Sequence, residues 1–175
     1  NTSGAADMRI IPVSAFAALA FTALGFGSAP AFGQTVMLNF SFPELKQQLI
    51  DLKSTVKKEA ETDEKIRFIE AETEDGLIYA IYGLECDSKE PTQRCRGAEM
   101  VASFDLERDG DIGKALDLID YAAVADYKGT DNRLKLSRYV IFDDGITPAN
   151  FKVNIKVFTN IANDVWDMLE EEGFF

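Results

Sequence analysis

The chain has 175 residues, 46% of them hydrophobic, with 13 Phe, 5 Tyr and a single Trp: enough apolar mass for one packed domain and too much for a disordered chain. Its net charge of −12, from 30 acidic against 18 basic residues, repels phosphate backbones and anionic lipid surfaces and argues against nucleic-acid binding. It contains no histidine, which removes imidazole bases, His-based triads, haem ligation and the usual zinc-hydrolase helices together.

In chain order, Asn1 to Asp7 read as an upstream extension before Met8. Arg9 then opens an uncharged run, Ile10 to Phe26, which Gly25, Gly27, Ser28 and Pro30 break. Small residues in Ala29-Pro30-Ala31 suit a signal peptidase, with Ala31-Phe32-Gly33 as a second choice. The run is too short for a membrane-spanning helix and lacks a basic stop-transfer flank. Met8 to Ala31 is therefore expected to be a cleavable secretory signal peptide, delivering a periplasmic protein with no stable membrane insertion. Residues 1–33 stand apart from an α+β domain expected over residues 40–172.

Phe42, Leu45, Leu49, Leu52 and Val56 recur at helical spacing, so a helix is expected from Phe42 to about Glu59, capped by Ser41 with Pro43 in its first turn. Lys65 to Thr73 reads as a strand, and Glu74-Asp75-Gly76 as a turn. Leu77 to Cys86 is aromatic and β-branched on both faces, as a central strand would be. Asp87 to Arg94 reads as a hairpin loop, and Cys95 to Leu106 as the returning strand. Cys86 and Cys95, the only cysteines, thus flank one hairpin, and cross-strand partners lie within disulfide reach. An even cysteine count in an exported chain points the same way.

Asp111 is expected to cap a short helix through Ile112, Ala115, Leu116 and Ile119. Tyr121 to Lys128 and Arg133 to Phe142 form a second expected hairpin, with Leu134, Leu136 and Val140 on one face and Tyr139 and Ile141 on the other. After Asp143-Asp144-Gly145, Thr147 and Pro148 open a helix that runs to about Glu171. The sum is a five-stranded, mostly antiparallel sheet with flanking helices, in the order α-β-β-β-α-β-β-α.

This order, the Cys86–Cys95 hairpin and the closing segment Arg138 to Phe158 (RYVIFDDGITPANFKVNIKVF) resemble the YbjN family over about Phe40 to Leu169. The most distinctive piece is the strand, the Asp143-Asp144-Gly145 turn, and Ile146-Thr147-Pro148-Ala149-Asn150 opening the long helix. The resemblance implies a type III secretion chaperone-like fold and a sensory-transduction regulator that binds or dimerises rather than catalyses. Its hairpin looks like that of exported members. Leu118 to Ala123 depart from the Asn and Trp residues that many members carry there.

Asp105, Glu107, Asp109 and Gly110 mimic the start of a calcium-binding loop, but Leu116 stands where a bidentate Glu is needed, so a polar strand-to-helix turn is expected. The Lys57-Lys58 pair reads as a helix C-terminal charge feature. No nucleophile elbow, P-loop or dinucleotide fingerprint is present. No catalytic residue, cofactor or metal ligand is expected. If helices cover one side of the sheet, Tyr79, Ile81, Tyr139 and Ile141 would form an apolar patch on the other, for a protein partner or a second copy in a homodimer. The competing reading makes these four ordinary core. The alternatives for function are a small-ligand-binding periplasmic module and an enzyme with a carboxylate-based site.

Overall fold

A computed structural model of the chain describes residues 35–87, 93–107, 110–119, 123–128 and 130–175. The export segment, the loop tip 88–92, Arg108 and Asp109 of the acidic motif, residues 120–122 and Gly129 lie outside these. Among the described residues the order is β1 (Phe40–Ser41), α1 (Phe42–Asp51), β2 (Thr55–Glu61), β3 (Arg67–Glu72), β4 (Ile78–Cys86), β5 (Arg94–Asp105), α2 (Gly113–Asp117), β6 (Val124–Lys128), β7 (Arg133–Ile141) and α3 (Pro148–Glu171). The strands make one open antiparallel sheet, β2-β3-β4-β5-β7-β6, with β1 set against the start of β5. The α+β class is as expected. The strand count is corrected from five to seven.

The larger addition comes from the segment read as one long helix. α1 starts as expected: Ser41 Oγ accepts from the Glu44 N–H and the Glu44 carboxylate accepts from the Ser41 N–H, a capping box. It ends at Asp51 rather than near Glu59. Lys53 takes a left-handed φ of 62°, and the N–H groups of Lys53 and Ser54 bond back to the carbonyls of Ile50 and Leu49, closing a Schellman motif without glycine. Thr55 to Glu61 then pair with β3 through a bulge between Val56 and Lys58. Lys57 and Lys58 are therefore strand residues: Lys57 pairs with Glu72, and Lys58 lies 5.6 Å from the centre of the Phe68 ring. Lysines and a bulge together blunt this edge against pairing with another chain.

α1 and α3 share one face of the sheet. Asp51 at the end of α1 pairs with Lys152 near the start of α3, and Tyr79 of β4 lines the cleft between the two helices. Ile69 of β3 is in register with Ile81 of β4, and both belong to the buried sheet face with Met100, Phe104, Leu134 and Leu136. Leu45 and Leu49 of α1 and Phe151, Ile155, Phe158 and Val165 of α3 are buried against them. Each such side chain contributes roughly 1.5–3 kcal/mol by leaving water. Phe40, Phe142 and Phe151 meet with ring centres 5.0–5.6 Å apart, joining β1, the end of β7 and α3.

The unit that carried the family resemblance is a strand, a turn and a helix in space. Asp144 and Gly145 take φ values of 59° and 87°, and Thr147 Oγ1 accepts from the Asn150 N–H at 3.0 Å to cap α3. Met37 and Ile146 exchange both backbone hydrogen bonds, so residues 36–38 strap the turn, and a Cβ on Gly145 would overlap Val36. At the far end of α3, Gly173 (φ 72°) and the Phe174 N–H bonded to Leu169 close a second Schellman motif. Asp111 is not the cap of α2: its carboxylate accepts from the Gly113 N–H at 2.8 Å, while Ile112 occupies the cap position without a side-chain bond.

Cys86 and Cys95 face each other in register and are disulfide-bonded. The bond lies against Gly83, where an added Cβ would come within 2.5 Å of Cys95 Sγ, 2.8 Å of Cys86 Sγ and 3.1 Å of the Phe42 ring. Gly83→Ala is expected to cost about 1–3 kcal/mol of unfolding free energy in the oxidised protein. The cost should shrink when the same change is made in a Cys86→Ala/Cys95→Ala background, read by denaturant melts as a double-mutant cycle. Additive losses would show that the sulfurs do not fill the Gly83 site.

Candidate functional site

With α1 and α3 on one face, the strand registers define what the other face presents. One cross-strand row runs Ala60, Phe68, Tyr82, Glu99, Tyr139; a second runs Leu84, Gly97, Ile141; a third runs Glu70, Ala80, Val101, Ser137, Val124. Tyr139 and Ile141 are 53% and 64% exposed, Val124 is exposed, and Phe68, Tyr82 and Leu84 are half-buried. The face on which none of the described helices lies thus carries a band of apolar side chains, with Phe68, Tyr82 and Leu84 on one side of Glu99 and Gly97, and Tyr139 and Ile141 on the other.

Two of the four residues expected in this band are corrected. Tyr79 and Ile81 are 2% and 0% exposed and belong to the core under the helices. Tyr82 and Leu84, which alternate with Tyr79 and Ile81 along β4, stand on the open side. Alternation fixes which residues share a side of a strand, but β4 is apolar on both sides, so it cannot tell inside from outside. From the sequence Phe68 reads only as part of a strand; its place beside Tyr82, with ring centres 5.1 Å apart, follows from the β3–β4 register.

The band is anchored by a few charges. Glu99 accepts from the Tyr139 hydroxyl at 3.0 Å and from Lys135 Nζ at 3.2 Å. The hydrogen bond to Glu99, with partial burial and the Glu99 charge, raises the Tyr139 phenol above its ordinary value. The bond ties the Tyr139 side chain to its neighbour in the band's long row.

On the helix side, a polar cleft of about 360 Å³ opens between the end of α1, the β3–β4 turn and α3. Ser54 Oγ and Tyr79 Oη lie 2.9 Å apart in it, and Thr159 is buried beside them. Burial pushes the Tyr79 phenol above its ordinary value, against the opposing pull of the Ser54 hydrogen bond. Three carboxylates, Glu44, Glu59 and Asp51, are tied into hydrogen bonds and ion pairs. Burial would raise Glu44 and Glu59, but hydrogen bonds and charge from Ser41 and Arg94, and from Lys46 and Arg67, hold both below their ordinary values. Hydrogen bonds from Lys152 and Gln47 lower Asp51. An anion held ionised in this way is poorly suited to act as a general acid.

Asp105 of the calcium-like motif pairs with Arg133 at 2.6 Å, and Asp111 is engaged by the Gly113 N–H. Among the described residues, no group of three or more His, Cys, Asp or Glu is placed to hold a metal ion, and no helix is long and apolar enough to cross a membrane. No protein-family model, no curated protein and no solved structure matches the chain.

Tyr79 supplies a pH test of the cleft. A phenol raised in the native state keeps its proton to higher pH than in the unfolded chain, so its contribution is full below about pH 10 and lost as pH rises through the native value. Tyr79→Phe is expected to lose about 1 kcal/mol at neutral pH, where Ser54 loses its partner. Its stability should then fall less steeply than the wild type's above about pH 10 in denaturant melts. Identical alkaline slopes would place the titration elsewhere.

Proposed function

We propose that the protein is an exported, non-catalytic binding module that takes protein surfaces on the helix-free face of its sheet. The observation that carries this reading is the apolar band of Phe68, Tyr82, Leu84, Tyr139 and Ile141 opposite the helices, which no helix among the described residues covers. A monomeric soluble domain seldom leaves such a band without a partner, and aromatic side chains are enriched in interface cores. Export is supported by the Met8 to Ala31 pattern and by the Cys86–Cys95 bond, which an oxidising compartment maintains.

A YbjN-like, chaperone-like regulator fits the same picture. Its support is the resemblance in the Arg138 to Phe158 segment and the hairpin that the disulfide closes. A regulator of this kind acts by occupying or releasing a partner, which needs a recognition face and no catalytic group. The polar cleft beside Ser54, Tyr79 and Thr159 favours a second reading, a small-ligand-binding periplasmic module.

Tyr139→Glu and Ile141→Glu should fold with near-native melting temperatures, because both side chains are exposed. Each should weaken association, measured as self-association by sedimentation and as retention of a partner from an envelope extract. Tyr79→Glu, which buries a charge, should fail to fold. Variants that fold and associate like the wild type, or a wild type that stays monomeric and retains nothing, would count against the open face.

A further inference from the structure

The sheet comes apart at one end. β4 pairs with β5 only as far as Ala80 opposite Val101, whereas β5 continues against β7 to Asp105 and β4 continues against β3 to Ile78. Among the described residues, Ala102 to Asp105 therefore have no strand against their β4-facing edge. A groove of about 570 Å³ opens there, between the start of β4, the end of β5 and the C-terminal third of α3.

Its lining combines two chemistries. Ile78, Phe104 and Trp166 supply an apolar surface, on which Ile78 and Trp166 are exposed. The indole is held in place by stacking on Phe175 at 4.2 Å and by tilted contact with Phe104 at 5.9 Å. Asp75, Asp167 and Glu170 supply the rim, and no described Lys or Arg lines the groove. Among the described residues, none of these three carboxylates has an ion-pair partner. Two nearby lysines are already engaged, Lys53 with Glu74 and Lys114 with Glu172, and Lys156 lines the neighbouring cleft rather than the groove.

We propose that this groove docks a basic, extended segment of a partner protein. Lys or Arg heads meet Asp75, Asp167 and Glu170, and an alternating apolar side chain packs on Trp166 and Ile78. Charge complementarity selects the cation, and an aromatic face adds attraction for it. The unpaired stretch of β5 selects an extended backbone, which can add to a free strand edge while its side chains alternate between rim and floor. This site is separate from the band around Tyr139, so it stands or falls independently of the reading above.

Trp166 is the only tryptophan in the chain, so the groove carries its own reporter. The probe is an alternating lysine–valine hexapeptide, with a glutamate–valine hexapeptide as control. The basic peptide should change Trp166 fluorescence saturably, and the acidic one should not. Asp167→Asn/Glu170→Gln should weaken the affinity by about tenfold. Asp143→Asn/Asp144→Asn, which removes the same charge outside the groove, should leave it unchanged. Trp166→Leu, followed by calorimetry, should weaken binding as well. The proposal is overturned if the basic peptide gives no saturable change, if the groove variants bind as the wild type does, or if the Asp143/Asp144 control weakens binding equally. That last result would mean diffuse attraction to an acidic protein.

Discussion

The fold depends on one constraint: a single antiparallel sheet is covered by α1 and α3 on one face, and no helix among the described residues covers the other. The central strands therefore meet two different environments, and β5 presents a different surface to each along most of its length. Ala98, Met100, Ala102 and Phe104 are buried under the helices, while Glu99 and Ser103 face outward. The buried face is stabilised by the stripes of α1 and α3, and the Phe40, Phe142 and Phe151 cluster ties the ends of the layers together. The proposed recognition face is the side that the helices do not reach.

Close approaches between segments are made where side chains are absent. Gly83 leaves room for the two sulfurs, and Gly145 lets the 36–38 strap cross the turn before α3. Gly110 does the same for Phe174, whose ring occupies the space a Cβ would take. The Gly145 and Gly110 contacts bring together residues far apart in the chain, so a strap and the C-terminal turn, beside the covalent bond of the hairpin, secure the layer at its ends. The split between β4 and β5 opens at the end that neither the disulfide nor the strap reaches.

Much of this is legible in the residues. Ser41 and Pro43, Thr147 and Pro148, and the helical stripe from Phe151 to Leu169 announce where α1 begins and how α3 runs, because caps and helical periodicity are local. The cysteine hairpin is legible for the same reason. The end of α1 is not: a left-handed lysine closes it, and Val56 continues the helical spacing into what is an edge strand. The α3 stop, by contrast, uses Gly173, the residue type that makes such an ending readable. The candidate face is half legible, since Tyr139 and Ile141 lie on the open side as expected, while Tyr79 and Ile81 lie under the helices.

The sequence by itself determined the class of fold, the hairpin and its sulfur pairing, and the alternation along each strand, since all of these rest on interactions within a few residues or between adjacent strands. Only the tertiary structure decided which side of β4 is the inside, because a strand apolar on both faces reads the same either way up. It also decided that Tyr82, not Tyr79, meets Tyr139's row, since register couples the choice on one strand to every neighbour. The groove beside Trp166 lies wholly in that second category. It exists because two paired strands part company, and no local pattern in either strand records where its partner leaves.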